Sequence, residues 1–321
     1  MNDAVTSRRL PRVEGLLLGL GVLFAAASMT SVAITQIALA LMLMLGLLGI
    51  VRGWWNLPRT GLEKPLLIFT GWALLTIPFS SDPSASLVAS KRFFLMTALW
   101  AGALVARDER ARAWLLGGLL AGGVGNAVYS LATEVVGGES LTHRIGMVQN
   151  STITGAWIMA VAAVVAVAVA LAAPSWRARL TGWASFPFLM GALIFTWTRS
   201  GWMGVVAGVG VVMLLMRPRW IPALLVILAV VVAAGPANLR DRLTTIIDPE
   251  HSTNAQRVAL WEIGADLIRE NPVTGIGDQR LHGYAKISSP DARGNIRHYE
   301  LPHLHQNQIM MATLWGLPGL A

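Results

Sequence analysis

Residues 154–173 read TGAWIMAVAAVVAVAVALAA, twenty positions without a charge. A helix needs about 20 apolar residues to cross the hydrocarbon of a bilayer, so this stretch predicts a transmembrane span. The pattern repeats on both sides. Apolar segments run upstream at about 15–30, 33–51, 65–79, 93–106 and 113–136, and downstream at about 182–198, 201–216 and 220–235, with a last one starting near 308. That makes about 10 expected spans. Of the 321 residues 55% are hydrophobic and 13% charged, about half the charge of an ordinary soluble domain, which excludes a water-soluble globular enzyme. The expected fold class is all-α, a polytopic transmembrane helical bundle over residues 1–235. One long loop at 236–306 containing short helices follows as a lid, and residues 307–321 start a further transmembrane helix. That helix has only about 14 residues before Ala321, too few to cross alone, so the chain reads as truncated at its C-terminus.

The 25 Lys and Arg outnumber the 17 Asp and Glu by eight. In a soluble protein that excess would point to nucleic acid; here the positives sit in short connections between apolar segments, where they set topology. With the N-terminus inside, the inner segments hold thirteen Lys or Arg: Arg8, Arg9, Arg12, Arg52, Arg59, Lys64, Arg107, Arg110, Arg112, Arg177, Arg179, Arg217 and Arg219. The short outer turns hold four, Lys91, Arg92, Arg144 and Arg199. The N-terminus is therefore expected in the cytoplasm, and the stretch after Gly235 outside. All six histidines (His143, His251, His282, His298, His303, His305) then fall in outer segments. Acid–base work by histidine belongs on that face. The chain has no cysteine, which excludes disulfides, cysteine zinc sites, iron–sulfur centres and thiol nucleophiles.

Within the long loop, Ser252, Thr253 or Asn254 can cap a helix whose apolar stripe is Val258, Trp261, Ala265 and Ile268. Asn271-Pro272 ends it, Gly275-Ile276-Gly277 makes a tight turn, and a polar stretch leads to the histidines.

Chemistry-bearing residues cluster in the outer segments. Arg199, in Thr196-Trp197-Thr198-Arg199-Ser200-Gly201, separates two spans with almost no loop, and an ionisable residue there is a functional candidate or an interfacial anchor. Lys91 and Arg92 open another span, Arg144 lies in Thr142-His143-Arg144-Ile145-Gly146, and Arg257 starts the loop helix. Each alone is open to lipid anchoring; together they offer several guanidinium forks, which suit phosphate oxygens. His303-Leu304-His305 has the spacing of a metal pair, and a neutral imidazole is also a natural general base for a hydroxyl. The sequence holds no Asp-x-Asp, Walker loop, Gly-x-Ser-x-Gly or His-Glu-x-x-His. A diphosphate leaving group would have to be neutralised by arginine, not by carboxylate-bound magnesium.

Four segments in this order resemble the O-antigen ligase/polymerase superfamily: Arg144-Ile145-Gly146; Thr198-Arg199-Ser200-Gly201; Arg257-x-x-x-Trp261 followed by Asn271-Pro272-Val273-Thr274-Gly275-Ile276-Gly277; and His303-Leu304-His305 followed eleven residues later by Gly316-Leu317-Pro318-Gly319. The likeness covers about 140–321, and the multispan pattern extends it. One departure is that Gln306 stands directly after His305, where the family commonly has Asn; Asn307 comes one later. The resemblance implies a membrane glycosyltransferase of the bacterial inner membrane with its site on the periplasmic side. It would move a glycan from undecaprenyl-diphosphate to a sugar hydroxyl of the lipid A–core, without metal or other cofactor. Its implied site has His305, with His303, as general base, and Arg199, Arg257, Arg144, Lys91 and Arg92 for the diphosphate. Partners are then the carrier-linked donor, the acceptor and membrane lipids, with no nucleic acid. Rival readings are an O-antigen polymerase or protein O-oligosaccharyltransferase of the same superfamily, a lipid-linked glycan transporter, and a non-catalytic membrane scaffold.

Overall fold

The computed structural model describes residues 3–136, 148, 151–234, 252–278, 286–290, 296–300 and 304–320. In chain order its helices are α1 Asp3–Ala27, α2 Val32–Val51, α3 Glu63–Leu75, α4 Pro83–Ala89, α5 Ala98–Val105, α6 Glu109–Val136, α7 Thr152–Ala172, α8 Trp176–Phe195, α9 Arg199–Met216, α10 Ile221–Ala234, α11 Ser252–Glu270 and α12 Asn307–Trp315. The fold is helical, as expected. Among the described residues six segments are long and apolar enough to cross a membrane: Val32–Val51, Pro83–Val105, Glu109–Val136, Thr152–Ala172, Trp176–Phe195 and Arg199–Met216. Six is fewer than the ten of the hydropathy pattern, and two of the differences have local causes. The segment near 65–79 breaks into the 13-residue α3 and a 3-10 turn at Ile77–Phe79, because Pro78 cannot donate to a continuing helix. The last segment stops as a nine-residue helix at Gly316, whose φ of 70° leaves helical space. The long loop also holds an antiparallel hairpin, β1 Lys286–Pro290 with β2 Ile296–Glu300, in register Ser288 to His298. That polar stretch has too few residues of alternating character for its sequence to announce strands.

The chain forms two compact units, residues 1–58 with 98–243, and residues 59–97 with 244–321. In the first, α7 is the central helix. Its small residues Ala156, Ala160, Ala163 and Ala170 are buried, and they let neighbours approach closely, the main way helices associate in lipid. A side chain at Gly182 of α8 would strike the backbone of Ala166 and Ala170, and one at Gly201 of α9 would meet Leu193 and Ala156. Serine caps start three of these helices: Ser31, Ser151 and Ser175 each accept a backbone N–H from the first turn, satisfying donors that a helix start leaves open. Asn126 of α6, fully buried, donates to Met29 O at 2.6 Å and accepts from Val148 N at 3.4 Å. It thereby ties the turn after α1 to the loop after α6.

The second unit is built on a backbone clamp. Ile276 N donates to Thr313 O and Gly277 N to Leu314 O, both at 2.9 Å, and Leu317 N donates to Pro272 O at 2.8 Å. The Pro-x-x-Gly-x-Gly turn and the end of α12 are thus one hydrogen-bonded object. Ile276 O in turn accepts from Ser81 N, Ser80 Oγ and Ser81 Oγ at 3.0–3.1 Å. Trp72 Nε1 donates to Trp315 O at 2.8 Å, and the rings of Phe69, Phe93 and Trp315 meet one another, Phe69 edge-on to both others. Such contact explains the glycines. Gly277 has φ 93°, and a side chain there would fall on Ser80 and Ser86. Gly277→Ala is therefore expected to lower stability by about 2–4 kcal/mol, from positive φ and overpacking together. Thermal unfolding of the detergent-solubilised protein checks this; an unchanged midpoint would show that the clamp yields freely.

Helix α11 runs Ser252–Glu270 and stops before Asn271, as the sequence indicated; Ser252, Thr253 and Asn254, the expected caps, are its first three helical residues. Its buried face differs from the expected stripe. Leu260, Gly264 and Leu267 are buried with Ile276 and Leu304, and Ile263 packs on them, whereas Val258 and Trp261 are exposed. The reason is Gly264, against which Ile309, Leu304 and Thr313 close directly, so the packed face turns toward the smallest residue and not the largest.

Candidate functional site

His305 is held from both sides. Leu304 before it is fully buried beside Leu260, Leu267 and Ile276. Gln306 after it caps α12, its side-chain oxygen accepting from Ile309 N, while its amide donates to Gln308 Oε1 at 2.6 Å. Between these two anchors His305 turns through φ 55° and its side chain is exposed. For a residue other than glycine that left-handed conformation costs roughly 1–2 kcal/mol, and such strain collects at functional positions. Gln306, which stands where the family commonly has Asn, thus acts as the N-cap of α12.

The other non-glycine residue at positive φ among those described is Trp197, at 51°. It lies in the connector between α8 and α9, two residues before Arg199. Thr196 on one side is fully buried and donates to Leu193 O at 2.7 Å; Thr198 on the other is buried and donates to Thr196 O at 3.2 Å. The Trp197 ring meets that of Trp202 edge-on at 6.1 Å, and Trp202 Nε1 donates to Leu193 O at 3.2 Å. This locked connector delivers Arg199 as the first residue of α9, half-buried. A cation at a helix N-terminus opposes the helix dipole, by about 0.3–1 kcal/mol. The same place becomes favourable once an anion sits against the guanidinium and the first-turn N–H groups.

Arg257 lies in the second turn of α11, half-buried, one helical turn before Trp261. The spacing sets the two side by side at the margin of the packed face. Lys91 is exposed. Arg92, also exposed, donates through Nε to Ala89 O at 3.2 Å and through Nη1 to Asp278 Oδ1 at 3.2 Å. Asp278 is the residue that the sequence reading passed over, although it directly follows Gly275-Ile276-Gly277. Burial pushes its carboxyl above the usual carboxylate range, against the opposing pull of Arg92. Lys91, Arg92, Arg257, Asp278 and His305 all belong to the second unit; Arg199 belongs to the first. Arg144 and His303 lie outside the described residues.

A family model described as O-antigen ligase matches residues 184–321. The matched part contains Arg199, Arg257, Asp278 and both histidines of His303-Leu304-His305, and it leaves Lys91, Arg92 and Arg144 outside. A search of curated proteins returned no match. The match begins within α8, spans the clamp and its glycines, and runs to residue 321; residues 184–321 are thus similar to the O-antigen ligase family, which supports a place in the O-antigen ligase/polymerase superfamily.

Proposed function

We propose that this protein is an O-antigen ligase-like glycosyltransferase. It takes a glycan from undecaprenyl-diphosphate and joins it to a sugar hydroxyl of a lipid A–core acceptor, at the periplasmic face of the inner membrane, with its N-terminus in the cytoplasm. The observation that carries this reading is His305. Inside a domain that matches the family, an imidazole stands exposed at a strained backbone position, fixed by a buried leucine before it and a helix cap after it.

In the proposed reaction an imidazole nitrogen of His305 accepts the proton of the acceptor hydroxyl as its oxygen attacks the anomeric carbon. The bond from that carbon to the carrier diphosphate breaks with inversion, and undecaprenyl-diphosphate leaves with the bonding electrons. Arg199 and Arg257, with Arg144, Lys91 and Arg92, meet the charge that grows on the departing oxygens. His303 assists the base. A positioned general base contributes roughly 10²–10⁴-fold, and fixed cationic donors act where charge develops, each worth on the order of 10²–10³-fold in other enzymes. No step needs a metal.

Purified protein given carrier-linked glycan tests this directly, with lipid A–core, a second carrier-linked glycan and a Ser/Thr peptide offered as separate acceptors. Elongation of lipid A–core, unchanged by EDTA, is the expected outcome. Elongation of the carrier-linked glycan would make the protein a polymerase, and of the peptide a protein O-oligosaccharyltransferase. Loss of transfer in EDTA would restore the reading of His303 and His305 as a metal pair, and no transfer to any acceptor would leave a transporter or scaffold.

A further inference from the structure

Among the described residues of the second unit, Asp278 is the one buried charge, and the proposed reaction does not use it. Its place is set by the clamp, since Ile276 and Gly277 just before it bond to Thr313, Leu314, Ser80 and Ser81. It is 4% exposed. Its Oδ1 meets Arg92, while its buried Oδ2 has no hydrogen-bond partner among the described residues. A carboxylate removed from water with one ion-pair contact and one idle oxygen is a poor structural choice, because desolvation outweighs a single exposed partner. A neutral residue of similar size would fill the corner at less cost, so the charge calls for a role.

Arg92 supplies that role. A guanidinium carries five N–H donors. Ala89 O and Asp278 Oδ1 take one each, through Nε and Nη1. The side chain is 56% exposed, so an edge with further donors faces outward while the head is held from behind. An arginine ordered before its ligand arrives loses less side-chain freedom on binding, and its planar fork keeps the geometry that two phosphate oxygens need.

Building on the proposed function, we infer that Asp278 is a positioning residue, which holds the Arg92 guanidinium ready for the diphosphate of the carrier. Asp278 itself does not touch the substrate; it acts through Arg92.

Two measurements on the full-length protein test this: steady-state transfer with the carrier-linked donor varied, and direct binding of farnesyl diphosphate as a soluble probe. Asp278→Ala should raise donor KM and the probe Kd about tenfold, the scale of one charge-assisted contact, with kcat changed less than about threefold. Asp278→Asn keeps an acceptor for Arg92 without the charge, so it should fall between Asp278→Ala and the parent, and it carries the test should Asp278→Ala not fold. In an Arg92→Ala background, Asp278→Ala should add less than about twofold, since the pair acts as a unit. Parent-like KM and Kd in folded Asp278 variants would overturn the inference, as would an undiminished tenfold loss when Arg92 is already absent. Should the parent protein transfer no glycan at all, the functional reading falls alone, and the probe Kd values still decide whether Asp278 works through Arg92.

Discussion

Replacing His305 by Asn should reduce glycan transfer on the order of 10²–10⁴-fold, the range that a positioned general base contributes. Asn is the informative substitution because of the backbone. Position 305 has φ 55°, a conformation that Asn tolerates better than most residues, so the turn between Leu304 and Gln306 should persist. An amide cannot take a proton near neutral pH, so the chemistry is removed and the architecture kept. His305→Ala should lose transfer as fully, with membrane insertion intact. Transfer is measured on purified protein with saturating donor, beside a binding measurement with farnesyl diphosphate. A general base leaves probe binding near the parent value while kcat falls. Parent-level kcat in the Asn variant would remove the imidazole from the reaction, and an equal loss of probe binding would turn His305 from a base into a diphosphate ligand.

The second large effect is expected at Arg199. Arg199→Ala should cost on the order of 10²–10³-fold in transfer, as removal of one preorganised donor does elsewhere, and Arg199→Lys should be almost as damaging. The comparison separates charge from geometry. Lysine retains the positive charge at the start of α9, but its ammonium is a point donor where guanidinium is a planar fork. The connector argues that geometry matters. Trp197 is held at φ 51°, Thr196 and Thr198 are buried around it, and Gly201 lets α9 sit against Leu193 and Ala156, so the backbone that presents Arg199 has little room to adjust to a different head group. Complementation of O-antigen display, with protein level monitored, is the direct measurement. Near-normal display with Arg199→Lys would reduce the role of position 199 to charge alone.

The positions of these residues along the chain were legible before any coordinates. Arg199 stood out as a charge in an almost loopless hairpin, and His305 as part of a histidine group ahead of an apolar segment. What was not legible was how each is held. The left-handed turns at Trp197 and His305 have no periodic signature, since nothing in Thr196-Trp197-Thr198 or Leu304-His305-Gln306 marks a residue for positive φ as glycine would. Gln306 looked like a displaced Asn beside the imidazole; the structure uses it as a helix cap, for which Gln is not a common choice. Asp278 carried no signal because its partner Arg92 lies far away in the chain. The stripe on α11 was assigned by side-chain size, and the packing instead followed Gly264, whose value is the absence of a side chain.

Local sequence alone established a chain of apolar helices, the helix over 154–173, the end of α11 and the tight Gly-x-Gly turn, because each depends on forces that act along a few consecutive residues: transfer of apolar groups from water, the backbone limits of proline, and the steric freedom of glycine. Tertiary structure alone decided that the turn at Asn271–Gly277, the end of α12 and the serines at 80 and 81 form one clamp, and that Arg92 answers to Asp278. Ser80 and Ile276 are 196 positions apart. A hydrogen bond between them leaves no trace in local pattern, since any residue can offer its backbone carbonyl and only the folded chain determines which donor reaches it.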